Sequence, residues 1–248
     1  RREGRQLLVL GALGMWICGA WVYIAGRTTT AANIALIYSV TPVTIALVSA
    51  RILHERLSGL QKLGVAIALS GVLFVIAKGD VATLLGVRFA AGDLWIAAAA
   101  TSWTAYSVLM RQWPSSLGPA ERLVAIAVGG LVVLAPFTLW EWWATPQPPL
   151  DARALGLVLL AGVVPGAASY GAHAYLQREL GASRTAVMLY LAPVYGAGLA
   201  WWFLGERPGW YHAVGVALIL PGIWLATRRG PVQPNKPGAS AGPSSSSA

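Results

Sequence analysis

The sequence predicts an all-α, polytopic membrane helical bundle of inverted five-helix repeats, with eight helices present of an expected ten. Three observations carry this. First, eight stretches are almost free of Asp, Glu, Lys and Arg: 6–26, 28–50, 57–77, 94–110, 123–140, 154–177, 185–205 and 208–227. Each is close to the ~20 residues a helix needs to cross a ~30 Å hydrocarbon layer. Second, residues 28–78 recur without a gap at 182–229, offset by 151: Pro42 matches Pro193, Glu55-Arg56 matches Glu206-Arg207, and Gly64 and Gly71 match Gly215 and Gly222. Third, the basic residues are unequally shared between the two sides that this arrangement creates. Thirteen fall on the side of Arg1, Arg2 and Arg5, and five (Arg27, Lys78, Arg88, Arg153 and Arg207) on the other.

Composition agrees. The chain is 56% hydrophobic and 11% charged, against about 25% charged in soluble domains, and its mean hydropathy is +0.62. Backbone in lipid must bond to itself, as helices or barrel strands. Barrel strands alternate polarity over about ten residues, and that pattern is absent. The net charge of +9 would suggest nucleic acid in a soluble protein; here it orients the helices and excludes that partner class. The positive-inside rule places the Arg-rich side, and with it both termini, in the cytoplasm.

Taken in order, residues 1–78 hold three helices, 6–26, 32–52 and 57–77. The first is too long for a signal-peptide h-region and has no Ala-x-Ala site. Cys18, the only cysteine, reads as a small packing residue. Ser58 is placed to cap the third helix, and Lys62 sits near its end, where a long side chain snorkels to the headgroups. Residues 79–92 form an external connection with a short amphipathic segment. Residues 93–229 hold five helices, about 94–112, 121–143, 154–177, 183–205 and 208–227, with Asp93 and Asp151 at N-caps and a break at Pro146-Gln147-Pro148-Pro149. Residues 230–248 are a Pro/Gly/Ser/Ala tail, expected to be disordered and cytoplasmic. Trp95, Trp113, Trp140, Trp142, Trp143, Trp201, Trp202 and Trp210 fall near helix ends, where the ring suits the headgroup zone. Trp16, Trp21 and Trp103 lie deeper.

Shifting the last three helices back by 151 superposes them on the first three, while the two before them have no counterpart. The first repeat therefore lacks two helices, and the chain reads as the latter part of a ten-helix protein, a naturally shorter form being the alternative. Five is odd, so complete repeats lie inverted, and Glu55-Arg56 and Glu206-Arg207 fall on opposite sides.

Residues 30–42 (Thr-Ala-Ala-Asn-Ile-Ala-Leu-Ile-Tyr-Ser-Val-Thr-Pro), Leu53-His54-Glu55-Arg56-Leu57-Ser58 and the Gly64/Gly71 pair resemble the EamA-type permeases of the drug/metabolite transporter superfamily. So do Ala186–Pro193, Leu204-Gly205-Glu206-Arg207, Gly215 and Gly222 in the second copy. The resemblance covers nearly all of 6–228. It implies two inverted halves around a central cavity, in a bacterial inner membrane. It also implies passage of small polar metabolites, amino acids or related compounds, commonly outward. His54 departs from it, standing where the second copy has Gly205.

All nine acidic residues lie in loops or near helix ends, which argues against a carboxylate ion relay of the usual kind. His173 is the one ionisable side chain deep in a helix, a cavity contact or a packing group, with Tyr170 on the same face. Pro42 and Pro193 fall near the middles of equivalent helices and either bend for alternating access or fix a static kink. Tyr38, Ser39, Thr41, Tyr190 and Tyr195 surround them, and Trp103 and Tyr106 add aromatic surface; these seven side chains, with Tyr170 and His173, are the nine substrate-binding candidates. The loop pairs Glu55/Arg56 and Glu206/Arg207 are structural caps or gate elements. The glycines recur at seven-residue spacing and suit close helix contact, within the chain or in a homodimer. No metal-ligand spacing, nucleophile–base pattern or phosphate loop is present, so no cofactor or metal is expected and an enzyme is disfavoured. A membrane scaffold or sensor remains the other reading. The expected partners are a small-molecule substrate and membrane lipids.

Overall fold

The computed structural model describes residues 2–55, 57–80, 82–145, 151–205 and 207–228. Among them are eight long helices and no strand: α1 (Arg2–Ala25), α2 (Ala31–Ile52), α3 (Gly59–Ile76), α4 (Ala91–Gln112), α5 (Pro119–Ala144), α6 (Ala152–Leu180), α7 (Ala182–Phe203) and α8 (Trp210–Thr227). A four-residue helix, Ala82–Leu85, interrupts the 79–92 connection. Seven of the eight are long and apolar enough to cross a membrane. The exception is α4, which carries Asp93, Ser102, Thr104 and Ser107 in buried positions. Its apolarity is low because these polar side chains lie on the face buried against protein, while Leu94 and Trp95 remain exposed. The break at 146–149 and the tail at 230–248 lie outside the described residues.

The helix starts follow local chemistry. Thr30 accepts from the Asn33 N–H at 3.2 Å, and Asp151 accepts from Ala154 N–H at 2.7 Å. Ser58 forms a reciprocal capping box with Gln61, satisfying two donors the first turn would otherwise leave bare. Asp93 sits one turn later than the sequence suggests. The helix begins at Ala91, and the carboxylate reaches back to Ala90 N–H at 2.7 Å.

The internal repeat reappears in the backbone. α1 widens to a π-helical turn at Ala12–Ile17 and α6 does so at Gly162–Ala168, the same place at the 151-residue offset. α2 breaks at Val40, and α7 tightens into a 3-10 turn over Met188–Leu191, again matching positions, each just before the paired proline. A proline withholds the N–H that its own turn needs, so both copies distort there.

α3 and α8 pack antiparallel on their glycines. Gly64 meets Gly222 and Ala226, and Gly71 meets Gly215 and Ile219. The repeat turns Gly64 into Gly215 and Gly222 into Gly71, so one contact is the image of the other across a local two-fold axis. That axis relates antiparallel helices and therefore lies across them, in the membrane plane. The glycine face is thus covered within the chain. Gln61 ties the far end by donating to Arg228 O at 2.7 Å. A core of Val65, Ala68, Val72, Val187, Tyr190, Ile219 and Ile223 fills the α3–α7–α8 junction.

α2 and α4 run parallel and share a polar seam at three levels. Asn33 donates to Asp93 at 2.8 Å, Thr44 and Thr104 share a hydrogen bond at 2.9 Å, and Arg111 pairs with Glu55 at 3.4 Å. Thr29 also donates to Asp93. α1 completes this layer against α4 and α5 around Leu10, Tyr106 and Ile126. The first half of α6 faces outward with Leu155, Leu157, Val158, Leu159 and Leu160 each more than half exposed, which suits contact with lipid tails.

The repeat also locates strain. His54 has φ +57°, and its repeat partner Gly205 has φ +69°. The turn demands a left-handed residue, which costs a side chain with a Cβ roughly 1–2 kcal/mol, while glycine gives back about 0.5–1 through the unfolded chain. His54→Gly is therefore expected to stabilise by about 0.5–1 kcal/mol, read as a rise of about 1–3 °C in thermal unfolding of the solubilised protein. A fall would mean that the imidazole makes a contact outweighing the strain.

Candidate functional site

Between α2, α3, α4 and α7 lies a half-enclosed cavity of about 520 Å³. α2 contributes Ala35, Tyr38, Ser39 and Pro42; α7 contributes Leu189, Tyr190, Ala192 and Pro193; Val72 and Ile76 come from α3, Trp103 from α4 and Cys18 from α1. Tyr38, Ser39 and Pro42 become Leu189, Tyr190 and Pro193 at the 151-residue offset. The two repeats therefore offer equivalent positions to the same space, on either side of the two-fold axis. Because α2 enters at the 79–92 end and α3 leaves there, residues 35–42 and 72–76 put the cavity in that half of the bundle.

In the other half, the junction of α2, α4 and α7 is packed shut. Ile45, Ala182 and Ala186 pack into a core with Leu53 and Trp103, and Ser49 and Thr185 are fully buried beside them. At its end Glu55 accepts from the Ser183 N–H at 3.2 Å as well as pairing with Arg111. A carboxylate there also meets the positive end of α7. Gly181, at φ +83°, makes room: a Cβ would stand 2.8 Å from Glu55 Oε1.

The candidates from sequence divide into three groups. Tyr38, Ser39, Trp103, Tyr190, Pro42 and Pro193 line the cavity. Tyr106, Tyr170 and His173 stand behind Trp103 as its support. Tyr106 stacks on it at 5.2 Å, Tyr170 meets it edge-on at 5.7 Å, and the His173 ring lies 5.0 Å away. Tyr170 also donates to Gly14 O at 2.5 Å, at the π-helical turn of α1. Thr41 and Tyr195 do not line the cavity: Thr41 is buried, and Tyr195 is 63% exposed elsewhere. Among the loop residues, Glu55 bonds across to α4 and α7 while Arg207 is exposed; Arg56 and Glu206 lie outside the described residues.

Sequence reasoning missed Ala35, Val72, Ile76, Leu189 and Ala192, and gave Cys18 to packing. Leu189 was findable, being the repeat partner of Tyr38. Cys18 was not, since nothing in a uniformly apolar helix marks which face is inward.

Ser39 donates to Leu36 O at 2.6 Å, and Cys18 and Tyr38 both face the cavity. The Tyr190 side chain is 2% exposed and its hydroxyl has no partner among the described residues.

A family model described as the EamA-like transporter family matches residues 2–77 and 90–228. The chain is 25% identical over 227 residues to the uncharacterized transporter YyaM of Bacillus subtilis, covering 92% of this chain and 74% of that protein. It is 26% identical over 231 residues to an uncharacterized transporter of Archaeoglobus fulgidus, covering 92% and 77%. A probable terminal-alkyne amino-acid exporter of Streptantibioticus cattleyicolor is 27% identical over 228 residues, covering 92% and 74%. One solved crystal structure superposes with a TM-score of 0.67 at 20% identity, over 90% of this chain and 86% of that one; that likeness concerns the fold alone.

Proposed function

The chain belongs to the EamA-like transporter family, and from this premise we infer that it is a permease whose cavity carries small metabolites, amino acids or related compounds, outward across the cell membrane. The observation that carries this is the matched lining: positions 38, 39 and 42 of one repeat and 189, 190 and 193 of the other meet at one space. Alternating access needs a site that both halves can hold while they exchange which side is sealed. With the Arg-rich side cytoplasmic, this structure corresponds to a state closed on the inside. Glu55 acts as the inner latch, joining the α2–α3 loop to α4 and α7. The kinks before Pro42 and Pro193 are the flexing points.

The direct test is counterflow of labelled amino acids and related metabolites into proteoliposomes holding the protein. Saturable, protein-dependent exchange is expected. Folded protein that exchanges none of a broad series would overturn the reading in favour of a scaffold or sensor.

The latch has its own test. The Glu55–Arg111 pair is partly exposed (24% and 42%), so it is worth at most about 1 kcal/mol. Glu55→Gln is therefore expected to raise opening of the inner half about two- to fivefold. Thiol labelling of Thr185→Cys from the cytoplasmic side, in a Cys18→Ala background, reads this. Unchanged labelling would remove Glu55 from the gate.

A further inference from the structure

None of the residues lining the cavity is Asp, Glu, Lys, Arg or His. Resting on the reading of this cavity as the transport site, we propose that it selects un-ionised, largely apolar molecules with one hydrogen-bonding group and rejects free zwitterions. Amides, esters or lactams of amino-acid size are the class it fits.

A charged headgroup would find nothing here to replace its water. The ionised groups of the described structure nearest in kind are committed at the two ends of the bundle: Asp93 to Thr29, Asn33 and Ala90, Glu55 to Arg111 and Ser183. Helix breaks in transporters can offer bare N–H groups to a carboxylate. Here Val40 and Val187 keep right-handed helical angles (φ −81° and −63°), and Pro42 and Pro193, just after the breaks, have no N–H to offer. Stripping water from a carboxylate and an ammonium costs more than one hydrogen bond returns.

The polar inventory points the same way. Ser39 is engaged with Leu36. Tyr190 has the lining hydroxyl that is buried with no partner among the described residues. A buried hydroxyl left unsatisfied is costly, and a single amide or ester group on a ligand would satisfy it. Trp103, held on its far side by Tyr106, Tyr170 and His173, supplies a rigid ring face for the apolar body. The volume is within the range of small-molecule sites.

The test is equilibrium binding to purified protein in lipid nanodiscs, with three probes on one phenylpropyl skeleton: 3-phenylpropanamide, 3-phenylpropanoate and phenylalanine. The neutral amide is expected to bind at least tenfold tighter than either ionised probe. Tyr190→Phe is expected to weaken the amide severalfold while leaving propylbenzene, which has no hydrogen-bonding group, unchanged; Tyr23→Phe, on the exposed surface, should alter neither. Equal or tighter binding of free phenylalanine, an amide affinity indifferent to Tyr190→Phe, or binding of none of the probes because lipid chains fill the cavity, would each overturn the proposal. Amide binding without counterflow would sink the permease reading and leave the cavity's chemistry standing. Counterflow of free amino acids without preference for the amide would do the reverse.

Discussion

Gly64→Val is expected to destabilise the protein by about 3 kcal/mol, at the upper end of overpacking costs. A Cβ at Gly64 would lie 2.5 Å from Ala226 N and 2.6 Å from Gly222 O. Both are backbone atoms of a helix pinned by its own ladder, so no side chain can swing aside. A loss of this size is a large fraction of the ~5–15 kcal/mol that holds a protein folded. Thermal unfolding in detergent should fall by several degrees, and Gly222→Val should cost about as much, since it strikes the same contact from the other side. The double variant should cost less than the sum, because one separation of α3 and α8 relieves both clashes. Gly156→Val is the control: nothing stands within 4 Å of its Cβ position, and stability should hardly change. Equal behaviour of Gly64→Val and Gly156→Val would mean that α3 and α8 do not meet as described.

Trp103→Ala is expected to reduce counterflow at least tenfold per folded molecule. The ring forms the α4 wall of the cavity and makes contacts with Tyr106, Tyr170 and His173. Each aromatic contact is worth about 0.5–1.5 kcal/mol beyond simple burial, and a tenfold change in rate needs only about 1.4. Stability will fall too, so flux is normalised to correctly folded protein. Trp103→Phe keeps a ring face and should retain most of the flux. If Trp103→Ala transports like the unmodified protein, the substrate does not pass this wall.

The eight helices were legible because lipid imposes a length and an exclusion of charge that composition alone reveals. Their starts at Ser58 and Asp151 were legible too, since a capping side chain acts on the three residues that follow it. α4 was the hardest to recognise by apolarity, its buried hydroxyls lowering the signal where protein replaced lipid. Of the candidate site, the residues near the matched prolines fell on the cavity because the repeat names equivalent positions. Thr41 and Tyr195 did not, since a kink rotates the face that follows it and the rotation is not written in residue type.

The sequence by itself determined that this chain spans a membrane, how many long helices it has, that it is internally duplicated, and which family it resembles. These depend on one-dimensional quantities: run length, charge spacing and a constant offset. Only the tertiary structure decided that Gly64 and Gly71 face Gly222 and Gly215, that Glu55 reaches Arg111 and Ser183, and that Tyr106, Tyr170 and His173 stand behind Trp103. It alone decided that the lining carries no charge. Those facts arise from how helices rotate and cross, which is settled by packing between residues far apart in the chain, and a helix that is apolar all round does not announce which face will turn inward.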